Sequence, residues 1–151
     1  MGVRYTDEDI FKIDVDAITN PVNCDGVSGK GLAKQFAIRY KKNQHLYESA
    51  CKSGEIAPGK GLITKTGVHQ PRYIVNFPTK QHWRNPSSEA DIELGLRNMH
   101  KQLLKYEIPS IALPALGCGL GELPWGNVKS LIGNEFSEEH DIDVVVCYPR
   151  G

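Results

Sequence analysis

The chain has 151 residues, no net formal charge, and 40% hydrophobic and 24% charged residues, the balance of one soluble domain large enough to bury a core. Its longest apolar runs, Ile111 to Leu116 and Val144 to Cys147, are far too short to cross a bilayer, and residues 1–16 carry charges where a secretory leader would be apolar. A cytoplasmic protein without a membrane partner is therefore expected, and the neutral balance argues against a general polyanion binder.

Along the chain, short β-branched runs alternate with helical periodicity. Strands are expected at "VRYTDEDIF" (3–11), "VDAITNPVN" (15–23), "GLITKT" (61–66), "RYIVNF" (72–77), "SIALPAL" (110–116) and "IDVVVCY" (142–148). Residues 31–53 read as one or two helices with Leu32, Phe36, Tyr40, Leu46 and Ala50 on the apolar side. A capping signal at Ser88-x-x-Asp91 opens a helix over 89–106 through Ile92, Leu96, Met99, Leu103 and Tyr106. Pro124 starts a last helix marked by Trp125, Val128 and Ile132. The sum is a single α/β domain, a three-layer α/β/α sandwich with a mixed central sheet.

The four cysteines, Cys24, Cys51, Cys118 and Cys147, form no Cys-x-x-Cys pair, and no His or Cys spacing suggests a metal. Free, mostly buried thiols are expected. Charge is unevenly spread. Residues 26–47 and 56–88 hold ten basic residues, among them Lys30, Lys80 and Arg84, and no acid, whereas acids gather near both ends. If these two segments share a face, that face attracts anions.

Ligands of such sheets bind beyond the carboxyl ends of the strands. Two glycine-rich loops fall there, "GVSGKG" (26–31) and "GCGLG" (117–121), each followed by a helix. Glycines in that setting let backbone N–H groups converge on a phosphate beside the positive end of the next helix. A Walker A loop is excluded because Gly31, not Ser or Thr, follows Lys30, and neither loop has the setting of the dinucleotide fingerprint.

"DIFKIDVDAITNPVN" (9–23) and "ALPALGCGLG" (112–121) resemble the macrodomain family of ADP-ribose-binding modules. "NPVNCDGVSGKGLAKQF" and "NFPTKQHWRNPS" are similar to its branch of bacterial DNA ADP-ribosyl glycohydrolase antitoxins of the DarG type, related to the terminal ADP-ribose protein glycohydrolases. The resemblance runs from Val3 to Tyr148. It implies that Asp9 accepts from the adenine amino group, that Ile10 touches the adenine, and that Asn23 holds the distal ribose. Val27, Gly29, Lys30 and Gly31 in the first loop would enclose the diphosphate and distal ribose with Pro114, Leu116, Gly117, Cys118, Gly119, Leu120 and Gly121 in the second. Tyr148 either stacks near the adenine or caps the core.

Catalysis would rest on Lys80, which the resemblance brings to the anomeric carbon of the distal ribose, either to attack it or to assist the leaving group. A free lysine, pKa ~10.4, attacks poorly at neutral pH, so that role needs desolvation or nearby positive charge, for which Arg84 and His82 are candidates. In the protein-acting branch an aspartate follows Gly-Cys-Gly-Leu; here Gly121 stands there, as in the DNA-acting antitoxins. His82, Trp83 and Arg84 interleave cations with an aromatic, which suits an unpaired base beside a phosphate, with a core role for Trp83 as the competing reading.

The expectation is hydrolysis, without a cofactor or metal, of the bond joining ADP-ribose to a base of single-stranded DNA, thymine first. The substrate partner is ADP-ribosylated single-stranded DNA, and a cognate DNA ADP-ribosyltransferase toxin is a further candidate partner. A hydrolase of ADP-ribosylated protein carboxylates, a non-catalytic ADP-ribose reader and a nucleotide-using enzyme of another fold remain open. Antitoxins of this branch usually carry a second, toxin-blocking domain, so the chain is either the N-terminal part of a longer antitoxin or a stand-alone form.

Overall fold

In the computed structural model, which describes residues 2–149, six strands form one sheet: β1 (Gly2–Thr6), β2 (Ala17–Val22), β3 (Leu62–Lys65), β4 (Tyr73–Pro78), β5 (Ser110–Leu113) and β6 (Asp143–Cys147). Their order is β1-β6-β5-β2-β4-β3. The first five in that order run parallel, and β3 alone pairs antiparallel, with β4. The expected mixed sheet is thus a parallel sheet with one antiparallel edge strand.

Helices cover both faces, α1 (Gly31–Arg39) and α2 (Lys41–Ser53) on one, α3 (Glu89–Lys105) and α4 (Trp125–Phe136) on the other. The strand sequences dictate this because neighbouring side chains alternate between faces. Ala17, Val75, Phe77, Ile111, Leu113, Val144 and Val146 pack under α3 and α4, which contribute Ile92, Leu96, Met99, Leu103, Val128, Ile132 and Phe136. Ile18, Ile74, Ala112 and Val145 face α1, where Phe36 is fully buried.

Several expected boundaries move. The first strand stops at Thr6 because Asp9 caps a 3-10 turn over Ile10–Lys12, its side chain accepting from Phe11 N at 3.0 Å. β5 stops at Leu113, before Pro114, which has no N–H to give a ladder. The 31–53 stretch breaks at Tyr40 into two helices, and Tyr47 is buried in α2 while Leu46 is exposed. Tyr106 caps α3 and is exposed, and Glu107 at φ 54° ends the helical course. The four cysteines are free and half-buried rather than mostly buried.

The sheet also contains an unexpected polar core. Asn76 of β4 accepts from Asn20 of β2 at 3.1 Å and exchanges amide hydrogen bonds with Asn43 of α2 at 3.0 and 2.8 Å, while Thr64 of β3 donates to Asn43 at 2.6 Å. All four residues are buried, so each bond made spares an uncompensated polar group and fixes β3 and α2 on β4.

His100 of α3 bridges to α4, Nδ1 to Glu135 at 2.7 Å and Nε2 to Glu139, just beyond that helix, at 2.5 Å. Burial pulls the imidazole pKa down, but hydrogen bonds to Glu139 and Glu135 outweigh it and the net shift is upward. A raised folded value contributes stability that is fully present below the unfolded value of about 6.5 and lost as pH rises through the folded one. Urea unfolding of wild type should weaken as pH rises from that point, and His100→Gln should flatten this dependence.

Candidate active site

A cleft of about 630 Å³ opens at the carboxyl ends of β2, β4 and β5, within the usual range for a small-molecule site. It exists because β5 leaves β2 early. The two strands pair only at Ala17 and Ile18, and Pro21 lies beyond that point, where β2 keeps β4 as neighbour and the missing proline N–H costs no β5 ladder bond. The chain then enters α1 on one face after β2 and α4 on the other after β5, the crossover arrangement that opens a crevice.

The cleft gathers most of the expected residues: Asn23, Val27, Gly29, Lys30 and Gly31 from the first loop, Pro114, Gly117, Cys118, Gly119, Leu120 and Gly121 from the second, and Lys80, Trp83 and Arg84 between them. Pro21, Val22, Leu32, Ala33, Thr79 and Ala115 also line it. Sequence reading missed these because they are small or apolar residues without chemistry of their own; their place at a strand end, just past one or in the first turn of α1, next to a loop, was the available signal. Asp9, Ile10, Leu116, His82 and Tyr148 are not in its wall. Leu116 is fully buried and Ile10 nearly so, whereas Tyr148 is 40% exposed and donates its N–H to Thr6 O at 3.0 Å.

The three glycines of 117–121 serve different needs. Gly117, at φ 73°, turns the chain, and a Cβ there would press on Leu123 and Ser87. A Cβ at Gly121 would collide with Ser87 Oγ and lie 2.5 Å from the Gly117 carbonyl oxygen. Gly119 has nothing within 4 Å of such a Cβ and stands open. Close packing within the protein thus excludes side chains at 117 and 121, and only Gly119 is free for an incoming ligand. Among the described residues, the N–H groups of Gly119, Leu120 and Gly121 donate to no protein acceptor. α1 also starts without a side-chain cap, at Lys30, beside the cleft. Unused donors and a helix N-terminus on a cleft wall suit an anion.

Asn23 shapes the first loop. Its Nδ2 donates to Val27 O at 2.8 Å, and its Oδ1 accepts from Asp25 N at 3.0 Å, Val27 N at 3.3 Å and the Tyr47 hydroxyl at 2.8 Å. The β2 and β4 ends continue side by side: Thr79 N donates to Val22 O at 2.8 Å and Cys24 N to Gln81 O at 2.9 Å. These bonds bracket Asn23 on one segment and Lys80 on the other.

Lys30, Lys80 and Arg84 line the cleft and no acid does, so the two acid-free segments meet here. Trp83 is 43% exposed, which removes it from the core, and the Arg84 guanidinium lies 4.7 Å from its ring centroid. His82 is engaged by Asp25, its Nδ1 3.0 Å from Oδ1. Hydrogen bonds from His82 and from the Trp83 amide hold the Asp25 carboxyl below the usual carboxylate range. Burial pushes the Cys118 thiol up, and its Sγ contacts Leu116 O at 3.6 Å, so at neutral pH it is a neutral wall group rather than a nucleophile. Burial, then neighbouring Cys51, pushes Cys24 up to about 12.

Comparison with known proteins adds independent findings. The family model described as Macro domain matches residues 19–132. A Mycobacterium tuberculosis protein named DNA ADP-ribosyl glycohydrolase is 41% identical over 150 residues, covering 99% of this chain and 43% of that protein. The Thermus aquaticus protein of the same name is 38% identical over 148 residues, covering 97% of this chain and 41% of that one. The chain therefore spans about two fifths of the length of these relatives. The solved macrodomain of M. tuberculosis DarG superposes with a TM-score of 0.95 at 41% identity over 100% of both chains. Thermosipho africanus DarTG in complex with ADP-ribose superposes with a TM-score of 0.92 at 32% identity, over 98% of this chain and 42% of that one.

The glycine geometry predicts a contrast in stability. Gly121→Ala should cost about 1–3 kcal/mol through overpacking against Ser87 and the Gly117 carbonyl, while Gly119→Ala should stay within about 0.5 kcal/mol of wild type. Urea unfolding of the two variants side by side measures both.

Proposed function

Because this chain belongs to the Macro domain family, we propose that it hydrolyses the N-glycosidic bond between ADP-ribose and a base, thymine first, of single-stranded DNA. The observation that carries this is the placement of Lys80 and Asn23 in one cleft, on the adjacent, hydrogen-bonded ends of β4 and β2, beside the exposed Trp83–Arg84 stack. The full-length likeness to the macrodomain of a protein named DNA ADP-ribosyl glycohydrolase supports the same reading.

In this reading the whole chain works as one macrodomain. The diphosphate lies between the glycine loops, met by the free N–H groups of the second loop and the uncapped start of α1. Leu120, exposed and 3.4 Å from where a Cβ on Gly31 would lie, brings the two loops face to face over it. Asp9, Ile10 and Tyr148 form the adenine end beyond the cleft wall. Asn23 orients the distal ribose, with the second Nδ2 hydrogen left for a hydroxyl. The bond from the anomeric carbon to the base nitrogen breaks, its electron pair leaves with the base, and water supplies the hydroxyl that replaces it on carbon. Lys80 acts at this bond, either protonating the departing base nitrogen and regaining a proton from the attacking water, or attacking the carbon and then being displaced by water, whose proton goes to the base. Trp83, backed by Arg84, offers its exposed surface to a neighbouring unpaired base, with His82 beside it.

Residue 121 favours DNA over protein carboxylates as the substrate. The aspartate that the protein-acting branch carries after Gly-Cys-Gly-Leu has no room here, since Ser87 Oγ and the Gly117 carbonyl occupy the space. The Thermosipho africanus relative is named as a fusion of DNA ADP-ribosyl transferase and DNA ADP-ribosyl glycohydrolase. That supports a cognate DNA ADP-ribosyltransferase toxin as partner, and a DNA substrate fits the cytoplasm as the place of action.

Lys80→Ala should slow release of ADP-ribose from a modified single-stranded oligonucleotide by about 10² or more, with calorimetric affinity for free ADP-ribose unchanged. Lys80→Arg should not restore turnover, because a guanidinium neither attacks carbon nor readily gives up a proton. Gly119→Glu should lose ADP-ribose binding while remaining folded, through like charge at the diphosphate. An unchanged rate in Lys80→Ala would remove this lysine from the mechanism.

A further inference from the structure

The segment 79–87, which carries Lys80, Trp83 and Arg84, is held at three places. Its root is bonded to the end of β2 through Thr79 N and Gln81 O, and its far end to the second glycine loop through Ser87 N to Gly121 O at 2.9 Å. The exposed tip, 82–84, lies between these anchors. Among the described residues, both hydrogen bonds from the tip to another part of the chain end on one side chain. Asp25 Oδ1 is 3.0 Å from His82 Nδ1, and Asp25 Oδ2 accepts from Trp83 N at 3.0 Å.

The position of that carboxylate is itself fixed. Asn23 Oδ1 accepts from Asp25 N at 3.0 Å, and the buried Tyr47 hydroxyl holds the same Asn23 oxygen. A line of hydrogen bonds thus runs from the interior of α2 through Asn23 and Asp25 to the backbone of Trp83. Asp25 is absent from the cleft wall. The glycine loops take their shapes without its carboxylate, the first from the Asn23 amide and the second from Gly117, Ser87 and Gly121.

We infer that Asp25 is a positioning residue: its carboxylate clamps the tip bearing Trp83 and Arg84 against the first glycine loop and so governs use of the DNA part of the substrate, not the ADP-ribose part. This rests on the DNA reading of the site proposed above. A carboxylate gripping a backbone N–H and an imidazole at once sets both the height and the turn of the tip. The indole beside Arg84 is thereby held ready for a base instead of being ordered by each substrate as it arrives.

The test compares wild type, Asp25→Ala and Asp25→Asn. With an ADP-ribosylated single-stranded oligonucleotide, Asp25→Ala should raise KM about tenfold with a smaller change in kcat and no change in calorimetric affinity for free ADP-ribose. Asp25→Asn keeps an oxygen for the Trp83 amide and should recover part of the loss. By NMR, the Trp83 backbone amide should exchange faster with solvent in Asp25→Ala than in wild type, while the Val27 amide, held by Asn23, should not. Equal losses of oligonucleotide and ADP-ribose affinity would overturn the inference by showing collapse of the first loop, and so would unchanged KM and exchange. A wild-type protein that leaves the modified oligonucleotide intact would fail the DNA reading and this inference with it; active wild type with an unaffected Asp25→Ala would fail the inference alone.

Discussion

The hydroxyl of Tyr47, completely buried in α2, lies 2.9 Å from the carbonyl oxygen of Asn23 and 2.8 Å from its side-chain oxygen. The first glycine loop and the tip of 79–87 are referred to this contact. It seats the end of β2 on a helix that is itself held to β3 and β4 by the Asn43–Asn76–Thr64 network. A buried phenol without such acceptors would carry the desolvation cost of its hydroxyl, so the contact is strongly specified. From Asn23 the order passes outward, through Val27 to the first glycine loop and through Asp25 to the tip of 79–87. A loop whose glycines disfavour order is made definite by polar atoms whose own positions are set in the core.

The second constraint is the divergence of β5 from β2. Two paired positions suffice to join the halves of the sheet, and Pro21 and Pro114 stand where further pairing would have closed the crevice. Apolar packing of α3 and α4 below and of α1 above keeps the halves from sliding. The cleft is a gap that the hydrogen-bond ladder stops short of.

How legible this was depended on the kind of force involved. Strands and helices that bury apolar side chains were readable, since Ile18 against Ala17 or Val145 against Val146 announces two covered faces through alternation. The glycine loops were readable for the same local reason. Elements closed by polar contacts were not. The Asp9 turn, the Asn20–Asn76 pair and the Asp25 clamp depend on side-chain oxygens meeting N–H groups that lie on the same turn in one case and 56 or 58 residues away in the others. Composition treats such residues as facing solvent. Tyr47 was hidden because an aromatic with one buried hydroxyl reads no differently from any helix residue, and Leu46 next to it made a better apolar match. Asp25 carried one signal, its place directly before the first glycine loop at the edge of an acid-free run.

The packing of Ser87 against Gly121 has a consequence for how such proteins can change over time. Ser87 Oγ and the Gly117 carbonyl occupy the volume that any side chain at 121 would need, and Ser87 N holds the Gly121 carbonyl. Position 121 is therefore not an independent variable. A lineage that acquires a carboxylate there must alter residue 87 and also move the backbone at Gly117, and the order of these steps decides whether the intermediate folds. Exchange between glycine and aspartate at this point is a coupled event that involves residue 87 and the turn at Gly117 together, so the second loop is inherited as a unit.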